Sequence, residues 1–400
     1  MDRSMENMEN HMERKATRRP QKEDRSFFTK KRGYMDYQIL FLVITAFGFG
    51  IMMVYSASSY KAVSMGYANY YFALRQAEIG LAGLAGMLFV SKINYRWYKN
   101  ISRILIFICI VLQLIALSGV TGGESHGASR WIYIGSIGFQ PGEIAKIAIA
   151  IYTAHICVSD PKNVESLVGL AKSVWPMVIL MGLIAVENLS TAVICFVIMV
   201  VTIFVACRDL KPLAIMFMIA GVVGVILILT KGYRGARILS FFGKGTEAGD
   251  YQNEQALLTI GSGGLFGKGL GQSIQKLGFL PESHNDFIFA IICEELGLFG
   301  AICVIALFAT LVYRMVYVAF HAPDSFSGLL LTGIIVHISL QAIINICVVT
   351  GLVPNTGVPL PFISYGGTSL LFLLCEMGIV LNISRQIKFK VKKTAPGAKG

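Results

Sequence analysis

The run Leu280 to Gly297, L-P-E-S-H-N-D-F-I-F-A-I-I-C-E-E-L-G, sets Glu282, His284 and Asp286 just before an apolar stretch that carries Glu294 and Glu295 further in. A carboxylate at the mouth of an apolar helix works as a general base when burial raises its pKa toward neutrality, and a histidine two residues earlier can orient it or bind substrate. Both also have structural uses: Asp286 as an N-cap or a charge at the positive helix end, His284 as a solvated loop residue. Glu294 lies about 80° round the helix from Asp286 and Glu295 on the far face, so the three acids do not share one site. Glu294 and Glu295 are expected to bond neighbouring spans or their backbones instead. A second constellation lies in Q-P-G-E-I-A-K-I-A, Gln140 to Ala148, where Glu143 and Lys146 are three apart and hence helix neighbours. They read either as an ion pair locking one span to the bundle or as a lysine aimed at phosphate and held by its glutamate. Arg234 and Arg237 in K-G-Y-R-G-A-R offer guanidinium forks that suit a diphosphate or a lipid headgroup.

The elements that must position these groups are membrane spans. The chain has 400 residues, 55% of them hydrophobic and only 14% charged, with mean hydropathy +0.64, whereas soluble domains carry about 25% charged residues. Apolar runs long enough for roughly 30 Å of hydrocarbon are expected at about 37–57, 74–90, 101–119, 141–158, 172–187, 189–207, 212–230, 285–313, 326–350 and 363–384. The fold class is therefore an all-α polytopic membrane protein of about ten transmembrane helices. Residues 1–33 read as a disordered basic tail, 34–387 as the membrane domain and 388–400 as a second basic tail. Lys and Arg concentrate in the tails and in the loops around 91–103 and 208–211, which places both termini in the cytoplasm. One long extracytoplasmic loop, about 231–284, then joins spans 7 and 8.

This topology puts Arg130, Trp131, Glu143, Lys146, Asp286 and Ser364 near the outer face, and so predicts a cavity opening there. The net charge of +12 sits in tails that meet anionic lipid, and no nucleic-acid motif is present. The eight cysteines form no CxxC pair and read as inert core residues. The glycine-rich run Ile260 to Gln272 fits no Walker pattern; it reads as irregular backbone packed against the membrane surface.

Beyond these two segments, S-R-W-I (Ser129 to Ile132), Tyr251 to Leu277 and Thr350 to Leu370 all resemble the SEDS family (shape, elongation, division and sporulation proteins). The resemblance runs from about residue 37 to 390 and leans to its FtsW/SpoVE branch through Asn355-Thr356 and the stretch Gln272 to Leu277. Two departures stand out: Asn285 where the family usually has threonine, and E-N-L-S-T (Glu187 to Thr191) in place of Q-P-D-x-G-T.

The resemblance implies a multi-pass protein of the bacterial cytoplasmic membrane with its active site facing outside. The implied enzyme is a peptidoglycan glycosyltransferase that polymerises lipid II and releases undecaprenyl pyrophosphate, with Asp286 as the essential acid. Arg130, Trp131, Glu143, Lys146, Arg234, Arg237, Glu282, His284 and Ser364 are the candidate substrate-binding residues. No tightly bound cofactor is expected; a divalent cation, magnesium or manganese, is an option for the leaving group, with no metal ligands assigned. The implied partners are lipid II and the lipid-linked glycan, a class B penicillin-binding protein, other divisome or sporulation proteins and membrane lipids. A lipid II flippase and a non-catalytic scaffold for the transpeptidase remain alternative readings.

Overall fold

The computed structural model describes residues 28–32, 35–119, 131–134, 137–207, 209–230 and 247–392. Its elements in order are β1 (Phe28–Arg32), α1 (Tyr37–Ser64), α2 (Tyr71–Val90), α3 (Arg96–Leu117), β2 (Ile132–Ile134), β3 (Ile137–Phe139), α4 (Pro141–Ser159), α5 (Pro161–Val164), α6 (Leu167–Glu187), α7 (Leu189–Ala206), α8 (Lys211–Thr230), α9 (Glu247–Gly263), α10 (Ile288–Phe320), α11 (Ser325–Val349), α12 (Thr368–Gln386) and β4 (Lys388–Lys392). Nine of the described helices (α1 to α4, α6, α7 and α10 to α12) are long and apolar enough to cross a membrane. The tenth expected span is α8, whose counted apolar part, Lys211–Ile226, is shorter. The molecule is thus a polytopic helical membrane protein. Its outward faces carry Phe41, Phe89, Phe107, Met218 and Phe299, each about two-thirds exposed, which suits a bundle whose solvent is lipid.

Local sequence sets the helix ends. Asp36 caps α1 by accepting from the Gln38 and Ile39 amides, and Asp324 forms a capping box with Ser327 at the start of α11. Pro141 opens α4, where its missing N–H costs nothing. Two short antiparallel ribbons accompany the helices, β2 with β3 and β1 with β4. The second joins the two ends of the described chain, so Phe28–Arg32, inside the stretch expected to be a disordered tail, forms a strand.

The interval expected as an outer loop is more structured than its composition suggested. Besides α9, it contains a clasp around a break in α10, where Gly297 adopts φ 69° and ψ −165°. The break releases backbone groups that water cannot reach in hydrocarbon. The glycine-rich run takes them up: the Lys268 and Gly269 amides donate to the Glu294 and Glu295 carbonyls, each at 2.9 Å. In return the Leu298 and Phe299 amides donate to Gly264 and Leu265 carbonyls at 2.9 and 3.2 Å. A Cβ on Gly267 would collide with the Glu295 carbonyl, so the chains approach this closely only without one.

Glu294 and Glu295 complete the clasp. Glu294 accepts from Lys268 Nζ (2.7 Å), the Ile274 amide (3.2 Å) and Ser273 Oγ; Glu295 accepts from Lys276 Nζ (3.0 Å) and Ser56 Oγ (2.5 Å). The two acids anchor α10 to the 264–277 segment and to α1.

Candidate functional site

A cavity of about 790 Å³ opens at the end of the bundle remote from the β1–β4 ribbon, where α4, α7 and α12 begin. Asp286 lines it, two residues before α10. The N-cap position of that helix is Phe287, so Asp286 stands one residue before the cap position. The Asp286 main chain is fixed from α11: Asn345 Nδ2 donates to its carbonyl at 2.7 Å and to the Val358 carbonyl at 2.8 Å. Gly357 lies beside the carboxylate, and a Cβ placed there would stand 3.5 Å from Asp286 Oδ2.

Glu143 and Lys146 occupy the first turns of α4, both buried and both lining the same cavity. Lys146 Nζ meets Glu143 Oε1 at 2.9 Å. Two other helices hold the pair from either side: Ser369 Oγ of α12 donates to Glu143 Oε2 at 2.8 Å, and Lys146 donates to Gln341 Oε1 of α11 at 3.4 Å. A buried ion pair is tolerated only with such extra bonds. Trp131, at the edge of the β2–β3 ribbon, lines the cavity as well.

The other candidates lie elsewhere. Glu282 pairs with Lys61 at 3.3 Å and accepts from the Asn285 amide, His284 is buried behind it, and Ser364 Oγ accepts from the Leu360 amide at 2.8 Å to close a turn. None of the three is in the cavity lining. Arg130, Arg234 and Arg237 lie outside the described residues. His284 packs between Phe72 and Tyr365, with ring centroids at 5.1 and 5.8 Å, so it is not the solvated loop residue that its position suggested. Burial, with help from the Lys61 ammonium, pushes its pKa down to about 4. Burial alone would push the Glu282 carboxyl up, but the Lys61 ammonium, His284 and the Asn285 amide outweigh it and hold the acid below its usual range.

Several cavity residues escaped the sequence reading. Arg75 and Glu78 of α2 line it, one turn apart at the start of an apolar run. Arg75 bonds the Tyr71 hydroxyl at 3.2 Å and has no carboxylate at ion-pair distance among the described residues. Gln341 of α11 lines the cavity too, and Asn345, four residues on and so on the same helix face, holds the Asp286 and Val358 carbonyls behind it. The departures at Asn285, Asn188 and Thr191 also fall on the cavity lining.

Chemically the lining combines one carboxylate outside any helix, a lysine held by its own acid, and an arginine. Such a site can accept a proton at one point and match phosphate charge at others. Among the described residues no group of three or more His, Cys, Asp or Glu could ligate a metal.

Residues 37–389 match the family of FtsW, RodA and SpoVE, described as cell cycle proteins. A probable peptidoglycan glycosyltransferase FtsW of Bacillus subtilis (strain 168) is 38% identical over 377 residues, covering 90% of this chain and 92% of that protein. Another, from Geobacter sp. (strain M18), is 36% identical over 365 residues, with 89% and 98% covered. Stage V sporulation protein E of B. subtilis (strain 168) is 34% identical over 372 residues, with 90% and 100% covered. Among solved structures, a chain from a peptidoglycan synthase complex shares the fold at TM-score 0.73 and 23% identity, covering 88% of this chain and 98% of that one. RodA of Thermus thermophilus does so at TM-score 0.65 and 24% identity, with 88% and 97% covered.

Proposed function

The chain belongs to the FtsW/RodA/SpoVE family of cell cycle proteins, and we propose that it is a peptidoglycan glycosyltransferase polymerising lipid II at the extracytoplasmic face of the bacterial cytoplasmic membrane, in division or sporulation wall synthesis. The observation that carries this reading is the cavity itself, which gathers Asp286, Lys146 with Glu143, Arg75 and Trp131 at one end of the bundle. In the proposed step the 4-hydroxyl of an incoming lipid II attacks the anomeric carbon of the growing glycan. The hydroxyl proton passes to the Asp286 carboxylate, the bond to the diphosphate oxygen breaks, and undecaprenyl pyrophosphate leaves with the electron pair. One displacement inverts the α-linked donor to a β-1,4 product, so no second carboxylate is required, by analogy with one-step glycosidase chemistry. Lys146 and Arg75 match the charge that develops on the leaving group. With no protein cage for a metal among the described residues, a divalent cation would arrive with the diphosphate.

The reading includes a class B penicillin-binding protein as partner, supported by the shared fold with a chain from a peptidoglycan synthase complex. A flippase would need polar groups along a path through the bilayer. Below His337 and Glu376 the two helices carry no further buried charged side chain, and their buried polar ones, Ser327, Asn382 and Ser384, lie near the far helix ends beyond Leu330, Ile334 and Ile379, which disfavours it.

The test is glycan-ladder formation from labelled lipid II by the purified chain, with a transpeptidase present whose active serine is disabled. Asp286→Asn is expected to keep insertion and thermal stability and to lose at least ~10²-fold in polymerisation, the lower range for removing a general base. Near-normal ladders from that variant would reject Asp286 as the base and return the flippase and scaffold readings to contention.

A further inference from the structure

Beneath the cavity lies a second ionisable pair. His337 Nδ1 of α11 meets the Glu376 carboxylate of α12 at 2.8 and 3.0 Å, and the two residues are 2% and 1% exposed. His337 is twelve residues from Ser325 and Glu376 ten from Gln386, which puts them about 18 and 15 Å along their helices at 1.5 Å rise, near mid-bilayer depth. Ionisable groups there are costly and mark function by default. Apolar side chains of similar volume would fill the space at no electrostatic cost, so simple adhesion between helices does not explain the pair.

Its position along the two helices does. His337, Gln341 and Asn345 form one stripe of α11 at spacing four, and Ser369 and Glu376 lie seven apart on α12, again on one face. One turn above His337, Gln341 receives Lys146; two turns from Glu376, Ser369 donates to Glu143. The grip on the ion pair therefore needs α11 and α12 in one particular register. No other side-chain hydrogen bond joins α11 to α12 among the described residues. The connection between them, residues 350–367, supplies the cavity wall at Gly357, Val358, Pro359 and Tyr365. A polar pair buried between apolar helices is suited to fixing register, since every slip leaves both groups unpaired.

We infer that His337 and Glu376 are positioning residues that pin α11 against α12 so that Gln341 and Ser369 hold Lys146 and Glu143 in place for glycosyl transfer. The inference rests on the polymerase reading of the cavity. Neither residue lines that cavity or touches the substrate space.

The experiment compares the full chain, reconstituted with its transpeptidase, in three forms: wild type, His337→Leu with Glu376→Leu, and the exchange His337→Glu with Glu376→His. The apolar pair is expected to insert with a Tm equal to or above wild type while kcat for lipid II polymerisation falls toward the ~10²-fold loss that a 1 Å misplacement can cause. The exchanged pair, which restores the bond in reverse, is expected to return kcat to within about threefold of wild type, a residue of context. An apolar pair with wild-type kcat overturns the inference. Should it not accumulate, Glu376→Ala, which removes the acceptor, is set beside His337→Gln, which keeps a donor for Glu376: kcat lowered in Glu376→Ala yet near wild type in His337→Gln supports the inference, and wild-type kcat in Glu376→Ala, whatever its Tm, overturns it. Absence of ladders from wild type would instead strike the polymerase reading, so the two failures are distinguishable.

Discussion

At the scale of single residues, the pair Glu143–Lys146 shows how little separates structure from chemistry. Lys146→Ala is expected to abolish ladders while protein still inserts if the ammonium meets the diphosphate, with Glu143→Gln similar or milder. Loss of folded protein in both would point to a purely structural pair, since breaking a buried pair costs about 3–5 kcal/mol. Glycan assay and Tm on the same preparations separate the outcomes. His284 yields a pH prediction. Its folded pKa near 4 lies below the ordinary value of 6.5, so as pH falls the unfolded chain takes up the proton first. Stability is therefore full above about pH 6.5 and declines toward pH 4, by on the order of 3 kcal/mol across that window. Glu282, also held below its usual range, acts in the same direction at the acid end. His284→Gln should flatten the Tm decline between pH 7 and 4.5; an unchanged slope would mean the imidazole is not kept neutral in the fold. The sequence could show a histidine two residues from Asp286, yet not that Phe72 and Tyr365 enclose it, because those rings arrive from 212 and 81 residues away.

At the scale of elements, periodicity and length fix what packing alone does not have to decide. The apolar runs located the spans because hydrocarbon thickness demands about 20 residues; in the structure Asp36 and Pro141 set two of the helix starts by local chemistry. The clasp at Gly297 was not legible, since a break in a helix depends on who supplies its missing hydrogen bonds. Here the supplier is a segment some thirty residues earlier, and its glycines read equally well as a surface loop. Gly297→Ala tests the clasp. An alanine would hold φ 69° with ψ −165°, a region essentially confined to glycine, at a cost of roughly 1–3 kcal/mol, and its Cβ would strike the Gly267 amide and the Leu265 carbonyl. The expected result is a lower Tm or failure to accumulate, with Leu298→Ala, on an exposed face of the same helix, close to wild type. Equal stability for both variants would show that the break carries no strain on α10.

At the scale of the whole molecule, the first and last described strands pair in the β1–β4 ribbon while the cavity opens at the other end of the helices. Whichever side holds the ribbon, the site faces the opposite one. Arg96, Lys99 and Arg103 at the start of α3 and Lys211 at the start of α8 lie at the tail end, and short basic segments stay in the cytoplasm. On the proposed reading the cavity therefore faces outward. Cysteine labelling reads this directly. Ala68 is exposed in the loop between α1 and α2, at the cavity end, and Asn100 is exposed at the ribbon end. In intact cells a membrane-impermeant maleimide is expected to label Ala68→Cys above the wild-type background, while Asn100→Cys labels only once the membrane is opened. The native cysteines offer little background because the described ones are buried in the bundle, partly covered or, like Cys303, on the face of a span. Labelling of Asn100→Cys in intact cells, with Ala68→Cys protected, would place the cavity on the cytoplasmic side. Wall polymerisation could not then occur in it, whatever chemistry Asp286 performs.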